Sequence, residues 1–305
     1  MPRIVVVGSA NVDFVVQTPH IPLPGETVLG RDFVMAMGGK GANQAVGAAR
    51  LGADVVFVTR VGQDVFGDQC LDAYQEAGII TDFVTRDPQA ATGVALIAVA
   101  ADGENSITVA SGANMTLTPA MLSPAAFEGA DVLLLQLEVP VETVLKAAQM
   151  ARERGIRVVL NPAPAQRLPA ELLQLVDVIT PNRIEAAQLM GLDSAASLSD
   201  EELVKGLLGL GPSETVVTMG SAGSLAGGSF GWTQVAPFEI EPVDTTAAGD
   251  AFNAGLAVAL GHGTYSLHQA ARYANACGAL AATRLGAQPS LPDAASVEKL
   301  LETDK

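Results

Sequence analysis

The run "DVLLLQLEVPVETVLKAAQMARERGIRVVLNPA", Asp131 to Ala163, decides the fold. It opens on an apolar stretch, passes into a helix-length segment rich in long and charged side chains, stops at Gly155, and resumes as a second apolar stretch. A strand covered on both faces reads as unbroken Val, Ile and Leu, and a helix commonly ends at glycine. Two buried strands joined by a helix predict a parallel strand–helix–strand unit. The same grammar recurs outward in both directions. "RIVVVGS", "DVVFVTRVG", "DVITPN" and "ETVVTMG" read as further buried strands. "GANQAVGAARLG", "GDQCLDAYQEAG" and "NRIEAAQLMG" read as helices closing on glycine. This alternation predicts an α/β protein, a doubly wound and mostly parallel sheet flanked by helices.

Two segments break the alternation. Residues 11–37 read as extended and loop-like, interrupted by "HIPLPGE". Residues 93–111 read as a hairpin, with "ADGENS" as the turn between β-branched flanks. Neither carries a helical pattern. The expected division is therefore a body of residues 1–10, 38–92 and 112–305, with a small protruding β-sheet from 11–37 and 93–111. Such an appendage would serve as a lid, a dimer surface, or both.

With 305 residues, 49% apolar and 16% charged, the chain has the material for a large core. A net charge of −16 argues against nucleic acid and anionic membranes as partners, since both need basic patches. Cys70 and Cys277 are too few for a disulfide scaffold and suit a reducing cytoplasm. The start "MPRIVVVGSA" reads as a first strand, and no apolar run approaches the ~20 residues of a membrane span. His20, His262 and His268 form no metal-ligand pattern.

The chemistry concentrates in a few short motifs. In "VDTTAAGDAF", Asp244 and Asp250 bracket small residues just before an apolar helical run. Helix starts present free N–H groups and a partial positive charge, which suits an anion. The amides of Ala247, Ala248 and Gly249 would form the anion hole, and Asp250 would act as a general base; the plainer reading is an acid favouring a helix start. "GGKGANQA" opens another helix without the pattern of a Walker A loop. Its glycines admit a ligand against the backbone, while Lys40 and Asn43 offer donors to hydroxyl oxygens; a glycine turn with a solvated lysine is the alternative. Asn11 and Asp13 alternate along one strand face and could read sugar hydroxyls or simply form a polar edge. Glu138, at the end of a buried strand, stands where α/β sheets bind ligands, or merely begins a loop. Asn182 is placed as a helix cap or as a phosphate or metal-water contact. The glycine-rich turn of "VVTMGSAGS", Thr218 to Ser224, allows a nucleotide to approach, and "ATRLGAQPS" supplies carbonyls or a turn.

In their order and joint presence these motifs resemble the ribokinase (PfkB-type) family of carbohydrate kinases, across essentially the whole chain. "GGKGAN" and "DTTAAGD" carry the likeness, and "NPAPA", "TPN" and "GAQPS" are similar to its ribose-phosphorylating members. The resemblance implies ATP-dependent phosphorylation of the ribose 5-hydroxyl, with Asp250 as base and Ala247–Gly249 as anion hole. It implies sugar contacts from Asn11, Asp13, Gly39, Lys40, Asn43 and Glu138. It implies nucleotide contacts from Asn182, Thr218, Gly220, Ser221 and Gly223, with Asn275 near the adenine. Asp244 would hold a monovalent cation, usually K⁺, with carbonyls of Thr246, Ala281, Arg284 and Gly286 and a side-chain oxygen of Ser290; Mg²⁺ would arrive with ATP. A homodimer through the β-sheet lid is expected, because that sheet's apolar face needs cover. Rival expectations are a family member for deoxyribose or a nucleoside, and a non-catalytic sugar sensor.

Overall fold

The first strand, Arg3–Val7, buries its valines on both faces and lies inside the larger of two sheets. The computed structural model describes residues 1–194 and 198–303. In chain order the elements are β1 (Arg3–Val7), β2 (Asn11–Thr18), β3 (Phe33–Gly38), α1 (Lys40–Arg50), β4 (Asp54–Gly62), α2 (Val65–Glu76), β5 (Val84–Asp87), β6 (Gly93–Ala100) and β7 (Asn105–Ala110). They continue with β8 (Val132–Leu135), α3 (Val141–Arg152), β9 (Arg157–Leu160), α4 (Ala170–Leu175), β10 (Val178–Ile179), α5 (Arg183–Leu189), α6 (Asp200–Gly209), β11 (Glu214–Thr218), β12 (Ser224–Gly228) and β13 (Gly231–Val235). The chain closes on α7 (Ala248–Gly261), α8 (Leu267–Ala282) and α9 (Ala294–Thr303).

Nine strands form one sheet in the order β13-β12-β11-β10-β9-β8-β1-β4-β5. From β11 to β5 all neighbours are parallel, and only β11–β12 and β12–β13 run antiparallel. The predicted doubly wound sheet is therefore observed. The β12–β13 hairpin was not expected from the sequence: its strands, "SLAGG" and "GWTQV", carry no unbroken apolar run.

One core cluster joins α1, α7 and α8 to one face of the sheet, and a second packs α3 and α4 on the other face. Helix α7 is buried from Asp250 to Leu260, so it lies inside the molecule. Its approach to α1 is close: a Cβ added at Gly47 would stand 2.9 Å from Ala254 Cβ. Residues four positions apart share a helix face. The contact of Gly47 with Ala254 therefore brings Asn43 and Asp250, one turn earlier on each helix, face to face.

A separate four-stranded sheet, in the order β3-β2-β6-β7, is built from the two segments that lack helices. Its β6–β7 hairpin pairs Val94 with Ala110 through to Val99 with Asn105, as the "ADGENS" turn predicts. Among the described residues no helix is long and apolar enough to cross a membrane.

Candidate active site

The loop after β1 and the starts of α1 and α7 meet beside the small sheet. Gly39 caps α1 at φ +88°, and a Cβ there would lie 2.8 Å from the Asn11 backbone nitrogen. Only glycine fits both constraints. The open end of α1 is closed by Glu138, three residues beyond β8 rather than within it. Glu138 Oε2 accepts from the Lys40 backbone N–H at 3.0 Å and from Ser9 Oγ at 2.5 Å. Ser9 Oγ in turn accepts from the Gly41 amide at 3.2 Å.

The Asp250 carboxylate is buried in the first turn of α7. Oδ2 accepts from Asn43 Nδ2 at 2.9 Å, and Oδ1 accepts from Gln44 Nε2 at 3.0 Å. Burial raises its pKa, while Lys40, Asn43 and Gln44 oppose the rise and Glu138 adds to it. Against its own burial penalty, Lys40 is held above the ordinary lysine range by Asp250, Glu138 and Glu185. Asp13 differs from the other acids. Among the described residues no donor reaches its carboxylate, and burial, with Glu138 and Asp250 nearby, pushes its pKa from 3.8 to about 6. Asn11 is held by Asn114, whose Nδ2 donates to Asn11 Oδ1 at 2.7 Å. That bond turns the Asn11 amide nitrogen away from Asn114 and leaves it as the group for another partner.

The amides expected to form an anion hole at the start of α7 are not alike. Ala247, the N-cap of α7, is the one non-glycine residue among those described with positive φ, at 59°. Left-handed backbone costs an L-residue roughly 1–2 kcal/mol. Ala248 N–H is taken by the Thr245 carbonyl at 3.2 Å. Among the described residues the amides of Ala247, Gly249 and Asp250 meet no protein acceptor. A Cβ at Gly249 would meet nothing within 4 Å, so space lies in front of it.

Residues 1–294 match the model of the pfkB family carbohydrate kinases. The chain belongs to this family. It is 42% identical over 299 residues to the ribokinase of Haemophilus influenzae, covering 97% of each chain. It is 38% identical over 252 residues to the deoxyribokinase of Salmonella typhi, covering 82% of each. Among solved structures, Arabidopsis thaliana ribokinase complexed with ribose and ATP superposes with a TM-score of 0.91 at 34% identity, covering 99% of each chain.

The remaining candidates of this pfkB-family kinase fall into two groups. Asn182 caps α5: its Oδ1 accepts from Glu185 N–H at 2.8 Å, and Glu185 Oε2 accepts from Asn182 N–H at 2.8 Å. Asn182 and Thr218 pair as a parallel bridge, which brings those two together. Gly220 and Ser221 lie in a one-turn 3₁₀ helix, and Gly223 follows at φ +85°. Asn275 on α8 spends its amide nitrogen on the carbonyls of Val235, at 3.2 Å, and Ala236, at 3.0 Å. It braces the end of β13 against α8.

Asp244 draws the second group together. Its Oδ1 accepts from Thr246 N–H and its Oδ2 from Gly286 N–H, each at 2.9 Å. Despite partial burial, these bonds hold its pKa below the usual carboxylate value. Ser290 is buried, with its hydroxyl donating to the Ala287 carbonyl at 2.7 Å. Ala281 lies in the last turn of α8, and Arg284, just beyond the helix, donates its N–H to the Ala281 carbonyl at 3.2 Å. Oxygen donors of this kind, one carboxylate with carbonyls and a hydroxyl, suit a hard cation.

Sequence reasoning missed Ser9, Gln44, Asn114, Gln136 and Asn161, all buried and hydrogen-bonded in or behind the site. One signal was available: Gln136 interrupts "VLLLQL", and a polar residue inside a buried run needs a partner.

Proposed function

We propose that this chain is an ATP-dependent ribokinase, converting D-ribose and ATP to D-ribose 5-phosphate and ADP. One observation carries the reading. A buried carboxylate, Asp250, is bridged to the "GGKGAN" helix while it stands in the same turn as amides without acceptors. A base that faces a sugar site and adjoins an anion hole is what phosphoryl transfer to a hydroxyl requires. The relatives named ribokinase fit this reading.

Asp250 takes the proton of the 5-hydroxyl as that oxygen attacks the γ-phosphorus. The bond from γ-phosphorus to the β–γ bridging oxygen breaks, ADP leaves, and the proton on Asp250 passes to solvent. The amides of Ala247 and Gly249, with the Asp250 amide in place of that of Ala248, stabilise charge on the transferring group. Asn11, Lys40 and Asn43 donate to sugar oxygens, while Asp13 and the second oxygen of Glu138 accept from sugar hydroxyls, and Gly39 lets the sugar lie against backbone. Asn182, Thr218, Gly220, Ser221 and Gly223 line the nucleotide, with Asn275 bracing the adenine end. Mg²⁺ would arrive with ATP and supply charge neutralisation for the phosphates. Asp244, Thr246, Ala281, Arg284, Gly286 and Ser290 would hold K⁺, whose charge would order the loop before the anion hole.

The small sheet, residues 11–37 and 93–111, acts as a lid over the sugar and as the surface of a homodimer. Phe33 and Leu96, exposed by 64% and 56%, lie on one of its faces with Phe14 and Val16. The enzyme works in the cytoplasm, consistent with ATP as substrate and with two free, buried cysteines. The similarity to a deoxyribokinase supplies the second reading, a preference for 2-deoxyribose. A coupled assay over ribose, 2-deoxyribose and adenosine decides between them: ribose should have the highest kcat/KM. Asp250→Asn should keep ribose affinity within a few-fold and lose roughly 10²–10⁴ in kcat. Normal turnover by that variant would refute Asp250 as the base.

A further inference from the structure

Behind Asp250 runs a chain of buried side-chain amides that the sugar, nucleotide and cation assignments leave unused. Gln44 Nε2 donates to Asp250 Oδ1 at 3.0 Å and to Asn161 Oδ1 at 3.1 Å. Gln44 Oε1 accepts from Gln136 Nε2 at 2.5 Å. Asn161 Nδ2 donates to the Thr180 carbonyl at 3.2 Å. From the same residue, Thr180 Oγ1 donates to Asn253 Oδ1 at 2.5 Å, and Asn253 Nδ2 donates to the Gly249 carbonyl at 2.8 Å. The chain thus links the base to the anion-hole backbone.

Its donor and acceptor pattern has a single solution. A backbone carbonyl only accepts, so Asn161 must turn its nitrogen to Thr180 and its oxygen to Gln44. Gln44 must then present its nitrogen to Asn161 and, with its second hydrogen, to Asp250. Its oxygen faces Gln136, which must donate. No amide in the series can flip without placing like groups together. The arrangement is not there for packing: Gln136 Oε1 is left buried without a partner, a cost that an apolar side chain of similar size would not incur.

We propose that Gln44 is a positioning residue for the phosphoryl-transfer step, fixing the rotamer of the Asp250 carboxylate, with Gln136 and Asn161 serving to aim Gln44. With Asn43 on the other oxygen, the carboxylate is held at both ends. Each oxygen keeps one in-plane lone pair, so a sugar hydroxyl meets an oriented acceptor. The charged groups facing Asp250 are Lys40 on α1, Glu138 after β8 and Asp13 on β2. Of these Lys40 favours the ionised base and Glu138 opposes it, while Gln44 adds a neutral donor on the favourable side. The inference rests on Asp250 being the base.

The test is Gln44→Met, read through the pH dependence of kcat. One lost hydrogen bond to a charged group predicts a fall in kcat at neutral pH of roughly 10- to 100-fold, with KM for ribose within about threefold of the parent. The acid limb of the profile should move to higher pH, because a donor to the ionised form has gone. Gln136→Met leaves Gln44 present but unaimed. It should show a smaller loss in the same direction, and the double variant should be no worse than Gln44→Met. An acid limb that stays in place, or losses that simply multiply in the double variant, would overturn the proposal. If Gln44→Met does not fold, the Gln136→Met profile decides by the same criterion. Asp250→Asn is measured alongside. If it is inactive while Gln44→Met behaves as the parent, this inference alone fails; if it turns over normally, the base assignment fails and takes this inference with it.

Discussion

Replacing Asp13 by asparagine should make the ligand-free protein more stable at neutral pH while abolishing its response to ribose. The Asp13 carboxylate is largely buried and faces Glu138 and Asp250, which raises its pKa from 3.8 to about 6, and among the described residues no donor reaches it. Each pH unit of displacement corresponds to ~1.4 kcal/mol. The sign follows from linkage. The folded state binds this proton more tightly than the unfolded chain, so the penalty is absent below about pH 3.8, grows through the interval, and is complete above about pH 6. Its ceiling is ~3 kcal/mol, and because Asp13 retains some contact with solvent the expected gain for Asp13→Asn at pH 7.5 is ~1–3 kcal/mol. Near pH 5 the gain should be about half as large. Urea denaturation of parent and variant at the two pH values measures it, with thermal shift on ribose addition as the functional arm. A variant less stable than the parent at pH 7.5, or an advantage that does not shrink toward pH 5, would refute the argument.

Two further outcomes follow from other parts of the molecule. Leu96→Asp places a charge on the apolar face of the small sheet, and light scattering should then report half the parent mass; an unchanged dimer mass would move the interface elsewhere. Asp244→Ala removes the carboxylate that ties Thr246 to Gly286, so K⁺ should no longer raise the melting temperature relative to Na⁺. Undiminished K⁺ stabilisation would place the cation away from Asp244.

The fold was legible because parallel strands buried on both faces leave unbroken apolar runs such as "VLLL", and glycine marks the helix ends between them. The β12–β13 hairpin escaped notice because its glycines and polar residues imitate a loop; it gains its order from the edge it pairs with. The motifs at the starts of α1 and α7 stand out in the sequence as small and charged residues. Gln44, Gln136 and Asn161 do not. Each is polar in a buried position, and what makes that tolerable is a partner distant in sequence: Asn161 lies 117 positions from Gln44, and Gln44 lies 206 from Asp250. The left-handed backbone of Ala247 was not legible, since that conformation ordinarily selects glycine. Strain held at the mouth of a ligand site is a recurrent feature of functional loops.

The pocket sets an electrostatic problem of its own. Asp13, Glu138 and Asp250 gather near one lysine, in a chain of net charge −16 that must receive a polyanion. The three acids are handled differently. Glu138 is spent on the start of α1, where the Lys40 amide and the Ser9 hydroxyl donate to it. Asp250 is held by two amides and Lys40, which keep an acceptor available despite its burial. Asp13 receives no donor from the described residues, so a donor to it has to come from a bound ligand. A polyhydroxylated molecule offers hydroxyls enough to supply them, whereas an anion would add repulsion at the same place. The first turn of α7, by contrast, presents amides that meet no protein acceptor among the described residues, the kind of group that suits an anion. Distributing donors unequally among like charges thus sets an acceptor-rich side against a donor-rich side within one site, with Asp250 on the boundary between them.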